Sequence, residues 1–387
     1  MAIRKSVTNL TAAEKAQFIT GVKALKKKPP FVLPGVTLTA TNMYDAFVEV
    51  HNMSMATLTP PGNATGRNAA HQGPAFLPWH REFILRFERE LQIALNDNNF
   101  GLPYWDWAAD SALDDPADSN RTAMAVWRDD LLGGNGDPAD GNHVKTGPFA
   151  HNPGDPESWT IFDNNPADRA PFLKRAFGRG SAPTLPTQND VNAALVIDIY
   201  DRSPWDRPGS GSNSFRNHFE GWNPPLGLHN RVHVWIGGSM SPGTSPNDPV
   251  FFLHHCNCDR IWALWQICHP NVPYAPADNV ADAPAGHRLN DRMFPWTAAT
   301  DHRISDLLDI TALGFSYDDF HRRFVKLRRT TGNRFVSDAL IQVSTNCSTQ
   351  NDTAVSIFLP ASPGGTIRAR HTVSATELLT DQVTVTA

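Results

Sequence analysis

The chain has 387 residues, 40% hydrophobic and 19% charged, which is enough to bury a large core and far from a disordered composition. A formal charge of −5, from 34 basic and 39 acidic side chains, argues against nucleic acid as a partner, since phosphate binding needs a concentrated basic face. No run approaches the roughly 18 apolar residues of a membrane span. The opening residues lack the apolar stretch of a secretory signal, so a cytoplasmic location is expected unless a partner carries the chain out.

In chain order, the capping-box pattern TAAE (Thr11 to Glu14) predicts a helix to about Lys26, ending in a solvated run of lysines. After a proline-rich break, ATNMYDAFVEVHNM places Tyr44, Phe47, Val48 and His51 on one helical face. A long helix is expected from Pro78 to about Leu95, with His80, Phe83, Ile84, Phe87, Leu91 and Leu95 as its apolar stripe. Residues 101 to about 213 read as loops with short helical pieces such as ADRAPFLKRAFG (167–178). A helix near Leu226 to Trp235 follows. The next runs to about Gln266, with Asp248 as its cap and Pro249 in its first turn. Beyond Tyr317 the runs DALIQVSTN, TAVSIFLP, GTIRARHTVS and DQVTVTA are β-branched and separated by turn residues. The expected architecture is mainly α over 1–318, with a small β-rich extension over 319–387.

The histidines carry the chemistry. His229 and His233 are four apart on a helix, so both rings project from one face, a spacing that suits two ligands of one metal. Leu228, Val232 and Trp235 surround them, and a neutral imidazole buried there needs a partner. His254 or His255 is the natural third ligand. Adjacent helical positions differ by roughly 100°, so only one points with the pair. The stripe of Phe251, His255 and Ile261 or Trp262 favours His255, and Asp259 one turn on could orient its ring. His51, His71 and His80 come from three places that could converge on a second metal. Six imidazoles without thiolate or carboxylate at matching spacing argue against structural zinc, iron–sulfur and carboxylate-bridged iron; copper or zinc fits, and copper binds nitrogen more tightly. Cys256 and Cys258 diverge on a helix and read as small buried hydrophobes, and all four cysteines are expected to be reduced.

These residues resemble the type 3 copper proteins, specifically the compact bacterial tyrosinases. HQGPAFLPWHREFILRFERE carries the first copper motif with His71 and His80 in the ligand places, and DPVFFLHHCNCD carries the second. The likeness extends over roughly 3–318 through GRNAAH, LPYWDW, LHNRVH and WIGG. It implies a four-helix core holding two copper ions, on His51, His71 and His80 and on His229, His233 and His255, with His254 as packing. It implies dioxygen as co-substrate and small phenols as substrates, hydroxylated ortho to their hydroxyl or oxidised from o-diphenol to o-quinone. Glu220 and Asn230 match the pair that holds a proton-accepting water, and Trp222, Val234 and Met240 are expected to line the substrate pocket. Ala69 stands where some relatives carry a thioether cysteine. Val234 occupies a position linked to monophenol against diphenol preference, which keeps a catechol or o-aminophenol oxidase open. A haemocyanin-like oxygen carrier is the more distant alternative. Some relatives receive copper from a helper protein, and an oligomer is compatible with the sequence. The extension is expected to serve as a lid, with Phe335 or Phe358 as its plug, or as an assembly surface.

Overall fold

The Thr11 hydroxyl accepts from the Glu14 N–H while the Glu14 carboxylate accepts from the Thr11 N–H, and this reciprocal cap starts helix α1 (Ala12–Leu25). Asn42 caps α2 (Met43–Ala56) through the Asp45 N–H. Helix α3 (Phe76–Leu95) starts two residues before the expected Pro78, which lies in the first turn where its missing N–H costs nothing. Then come α4 (Trp107–Asp110), α5 (Gln188–Leu195), α6 (Phe215–Glu220), α7 (Leu228–Ile236) and α8 (Val250–Cys268). The computed structural model describes residues 1–320 except 64–65, 163–170, 207–212 and 223–225, and beyond them the backbone of four strands.

Two expectations about local structure are corrected. Pro249 occupies the cap position of α8 and makes no side-chain cap bond; Asp248, one residue before it, accepts from the Val250 N–H at 3.2 Å while its two oxygens also hold the buried Arg175 guanidinium at 2.7 and 2.8 Å. The helix expected in 167–178 is not formed over 171–178. Arg175 Nη1 draws on three carbonyls, of Leu132, Gly133 and Gly134, and Lys174 bridges to His143, which keeps this backbone extended.

Strand β1 (Ala2–Arg4) pairs in parallel with β6 (Phe315–Tyr317), tying the first residues to the end of the helical unit. The antiparallel ladders β2 (Leu58–Thr59) with β3 (Arg67–Asn68) and β4 (Gly136–Asp137) with β5 (His143–Val144) stiffen the loops. Further on, β7 (Val325–Thr331) pairs with β8 (Arg334–Ile341), and β9 (Thr366–Ser374) with β10 (Glu377–Thr384). Sequence reading missed β7, whose Lys326, Arg328 and Arg329 dilute the apolar signature. Phe358 and the side chain of Phe335, the plug candidates, lie outside the described residues.

The helices meet over an aromatic core. Phe87 of α3 and Phe252 of α8 stack at 3.5 Å between centroids, and Phe47 of α2 meets Phe83 and Phe87 edge-on. The described residues are mainly α. A buried ionic cluster joins β1, α3, α8 and β6. Arg4 donates to Glu88 (2.6 Å), Asp259 (3.0 Å) and the Tyr317 hydroxyl (3.1 Å), and Arg81 donates to Asp259. Asp259 therefore faces arginines and not the ring of His255, contrary to the expected orienting role. Cys256 and Cys258 are free and buried. Cys268 is disulfide-bonded, which corrects the expectation that all cysteines are reduced. Among the described residues no helix is long and apolar enough to cross a membrane.

Candidate metal centre

Four helices and one loop bring seven histidines together. Helix α2 supplies His51, the loop before α3 supplies His71, and α3 itself supplies His80. Their rings lie 4.8 to 5.8 Å apart between centroids. Helix α7 supplies His229 and His233, with centroids 4.6 Å apart, as the four-residue spacing requires. Helix α8 supplies His254 and His255. The two groups face each other through His80 and His255, whose rings stack at 4.3 Å and 13°. Within each group the candidate ligand nitrogens lie within 4.8 Å of one another.

Most of these rings are held from behind. His51 Nδ1 donates to the Gly243 carbonyl (2.6 Å), His80 Nδ1 to that of Phe76 (2.8 Å), His233 Nδ1 to that of Met240 (2.7 Å) and His229 Nδ1 to Asn230 Oδ1 (2.9 Å). A proton fixed on Nδ1 leaves Nε2 as a bare lone pair. His51 Nε2 and His80 Nε2 are buried without a hydrogen-bond partner among the described residues. His255 Nε2 lies 3.3 Å from that of His229 and 3.4 Å from that of His233. Such convergence is relieved by a proton on His255 Nε2 or by a cation among the lone pairs. Desolvation holds every ring neutral: His51 is lowered to about 3, His233 to about 4, and His71, His80, His229, His254 and His255 well below the usual imidazole range. Uncharged, buried, convergent and unpartnered imidazole nitrogens fit soft-to-borderline metal ions, and the set fits copper.

His254 falls inside the second group by distance alone. Its ring nitrogens, however, contact Cys258 Sγ at 3.8 and 3.9 Å, and its face lies over His229. His255 is wedged between the rings of His80 and Phe251 on a rigid helix, with Nε2 toward His229 and His233. The side chains of Phe76, which sequence reading did not single out, and of Phe251 separate and brace the rings of both groups.

A cleft of about 190 Å³ opens onto the rings, walled by Met55, Trp222, Leu226, Asn230, Val234 and Pro242. Trp222, Val234 and Asn230 line the cleft. Met240 is not among the lining residues: its side chain is buried, and it acts through the carbonyl that holds His233. Glu220 also lies off the cleft wall, fully buried; it accepts from the Gln72 N–H at 2.7 Å and from Arg216 at 3.1 Å. Burial pushes its carboxyl above the usual range, against the opposing pull of Arg216. The carbonyls of Gly243, Met240 and Phe76 were invisible in the sequence, since a backbone acceptor has no residue signature.

The family model for the common central domain of tyrosinase matches residues 41–267. The tyrosinase of Streptomyces antibioticus is 43% identical over 309 residues, covering 79% of this chain and 97% of that protein. The tyrosinase of Streptomyces glaucescens is 44% identical over 313 residues, 81% of this chain and 97% of that protein. The grixazone synthase of Streptomyces griseus is 38% identical over 336 residues, 82% of this chain and 99% of that protein.

Proposed function

Since the chain belongs to the tyrosinase family, we propose that it binds two copper ions, one on His51, His71 and His80 and one on His229, His233 and His255, and oxidises small phenols with dioxygen. The reactions are ortho-hydroxylation of monophenols and oxidation of o-diphenols to o-quinones. The observation that carries this reading is the pair of neutral, buried imidazole groups meeting face to face through His80 and His255 beneath an open cleft. Copper, when bound, supplies oxygen activation and accepts electrons from the phenol.

The protein's own groups do the rest. Trp222, Leu226 and Val234 form apolar walls sized for one aromatic ring. Asn230 holds the His229 ring while lining the cleft. A bound phenol must lose its proton, and Glu220 is the acceptor in this reading, because its buried carboxylate holds a proton more tightly than a solvated one. It is fully buried behind the cleft wall, so the proton reaches it through a mediator in the cleft and not by direct contact. His254 packs against Cys258 and His229 and ligates nothing. Copper delivery by a helper protein, and a lid formed by 319–387, belong to the same proposal. So does export in the company of a partner, which the disulfide at Cys268 supports, since such bonds persist in oxidising compartments.

The test is oxygen uptake by the copper-reconstituted chain with tyramine, then with catechol. Turnover of both is expected. Catechol turnover alone would leave a diphenol or o-aminophenol oxidase and direct attention to Val234. Reversible oxygen binding without oxidation of either substrate would refute the enzyme reading in favour of a carrier.

A further inference from the structure

Of the proposed ligands, His71 is the one that neither a helix nor a ring hydrogen bond holds. It lies on the loop before α3, and its Nδ1 is buried with no partner among the described residues. His255 shares the unpartnered Nδ1, but a long helix and two flanking rings fix it. The position of His71 therefore depends on its backbone, and that backbone is pinned from outside the loop. Asn68 Oδ1 accepts from the N–H groups of Ala70 (3.0 Å) and His71 (2.8 Å), and Glu220 accepts from Gln72. The Tyr200 hydroxyl donates to the Pro74 carbonyl at 2.7 Å. Gln72 is held at φ 56°, a left-handed conformation that a non-glycine residue keeps only when its surroundings enforce it.

The last pin is His287, far along the sequence and fully buried. Its Nδ1 accepts from the Ala75 N–H at 3.0 Å. That fixes the tautomer: the proton sits on Nε2, which donates to Thr59 Oγ1 at 3.1 Å, and Thr59 in turn donates to the Arg67 carbonyl. The ring edge also presses on Gly73, where an added Cβ would come within 2.8 Å of His287 Cε1. We propose that His287 is a positioning residue for the first copper site: its bare Nδ1 locks the loop at Ala75 and so sets where His71 points. Burial lowers its pKa to about 3, so the acceptor is present throughout the neutral range. The inference rests on His71 being a copper ligand.

Asparagine and glutamine separate this role from simple packing. His287→Asn can place Oδ1 where Nδ1 stood and keep the Ala75 bond. His287→Gln matches Nε2, keeps the Thr59 contact and loses the acceptor. The full-length metal-free chain is titrated with Cu(I) against a colorimetric chelator, with His71→Ala as reference. The wild type is expected to take two equivalents and His71→Ala one. His287→Gln should bind one equivalent normally and the other about tenfold or more weakly, with His287→Asn within about threefold of wild type. Hydrogen exchange at the Ala75 amide, read without copper, should speed up in the glutamine variant and stay slow in the asparagine variant. If His287→Gln does not fold, Gly73→Ala, which displaces the ring, should show the same one-site loss and recover with His287→Asn, which lacks Cε1. Equal effects of Asn and Gln, or none from either, overturn the inference while leaving the copper assignment intact. Two tight equivalents in His71→Ala overturn the ligand assignment and this inference with it.

Discussion

Replacing Asp259 by asparagine is the sharpest test of how the two histidine groups are held together. Asp259 is 3% exposed and accepts from Arg81 (2.5 Å), Arg4 (3.0 Å) and the Tyr317 hydroxyl (2.5 Å). Arg81 follows His80 on α3, and Asp259 lies one turn past His255 on α8. The amide keeps the volume but leaves two buried guanidiniums facing the single charge of Glu88. Breaking a buried pair in this way costs about 3–5 kcal/mol. For a folded unit of about 320 residues, the unfolding entropy is about 0.7 kcal/mol/K, so the midpoint should fall by roughly 4–7 °C. Thermal unfolding of the metal-free protein followed by circular dichroism measures it. Asp130→Asn, at an exposed pair with Lys15, serves as the control and should shift it by less than about 1 °C. A change in Asp259→Asn no larger than the control would show that the cluster does not carry the packing of α3 on α8.

Other outcomes follow from the same geometry. Asn230→Leu removes the acceptor behind His229 and should weaken copper at the second group by about 10–100-fold, read by chelator competition. Glu220→Gln should lower monophenol turnover by at least about tenfold while sparing catechol, and equal losses on both would remove its role as proton acceptor. The buried imidazoles have folded pKa values below the unfolded value of 6.5, so the unfolded chain binds more protons between about pH 3 and 6.5. The metal-free protein should thus gain stability as pH rises through that window and level off above it, as urea midpoints at successive pH values will show. Glu220 has the opposite sign: its raised pKa makes stability fall as pH climbs above 4.5, and the glutamine variant should lack that component.

The helices and most of the proposed ligands were legible in the chain because periodicity is local. The Thr11–Glu14 cap, the inward face of Tyr44, Phe47 and His51, and the shared face of His229 and His233 follow from 3.6 residues per turn, and the structure places each as read. Resemblance added the choice of His255 over His254, which periodicity had only favoured. What stayed hidden depends on contacts between residues far apart in sequence. Asp259 turned to Arg4 and Arg81 because two guanidiniums buried nearby outcompete an imidazole that needs no charge. Arg175 drew its segment into extended backbone because a buried guanidinium needs several acceptors at once. The carbonyls of Gly243, Met240 and Phe76 and the ring of His287 act by position alone, so sequence could not mark them. Residue type and spacing determined which side chains could bind metal; tertiary packing decided which way each ring points, because orientation is fixed by partners that only folding brings within reach.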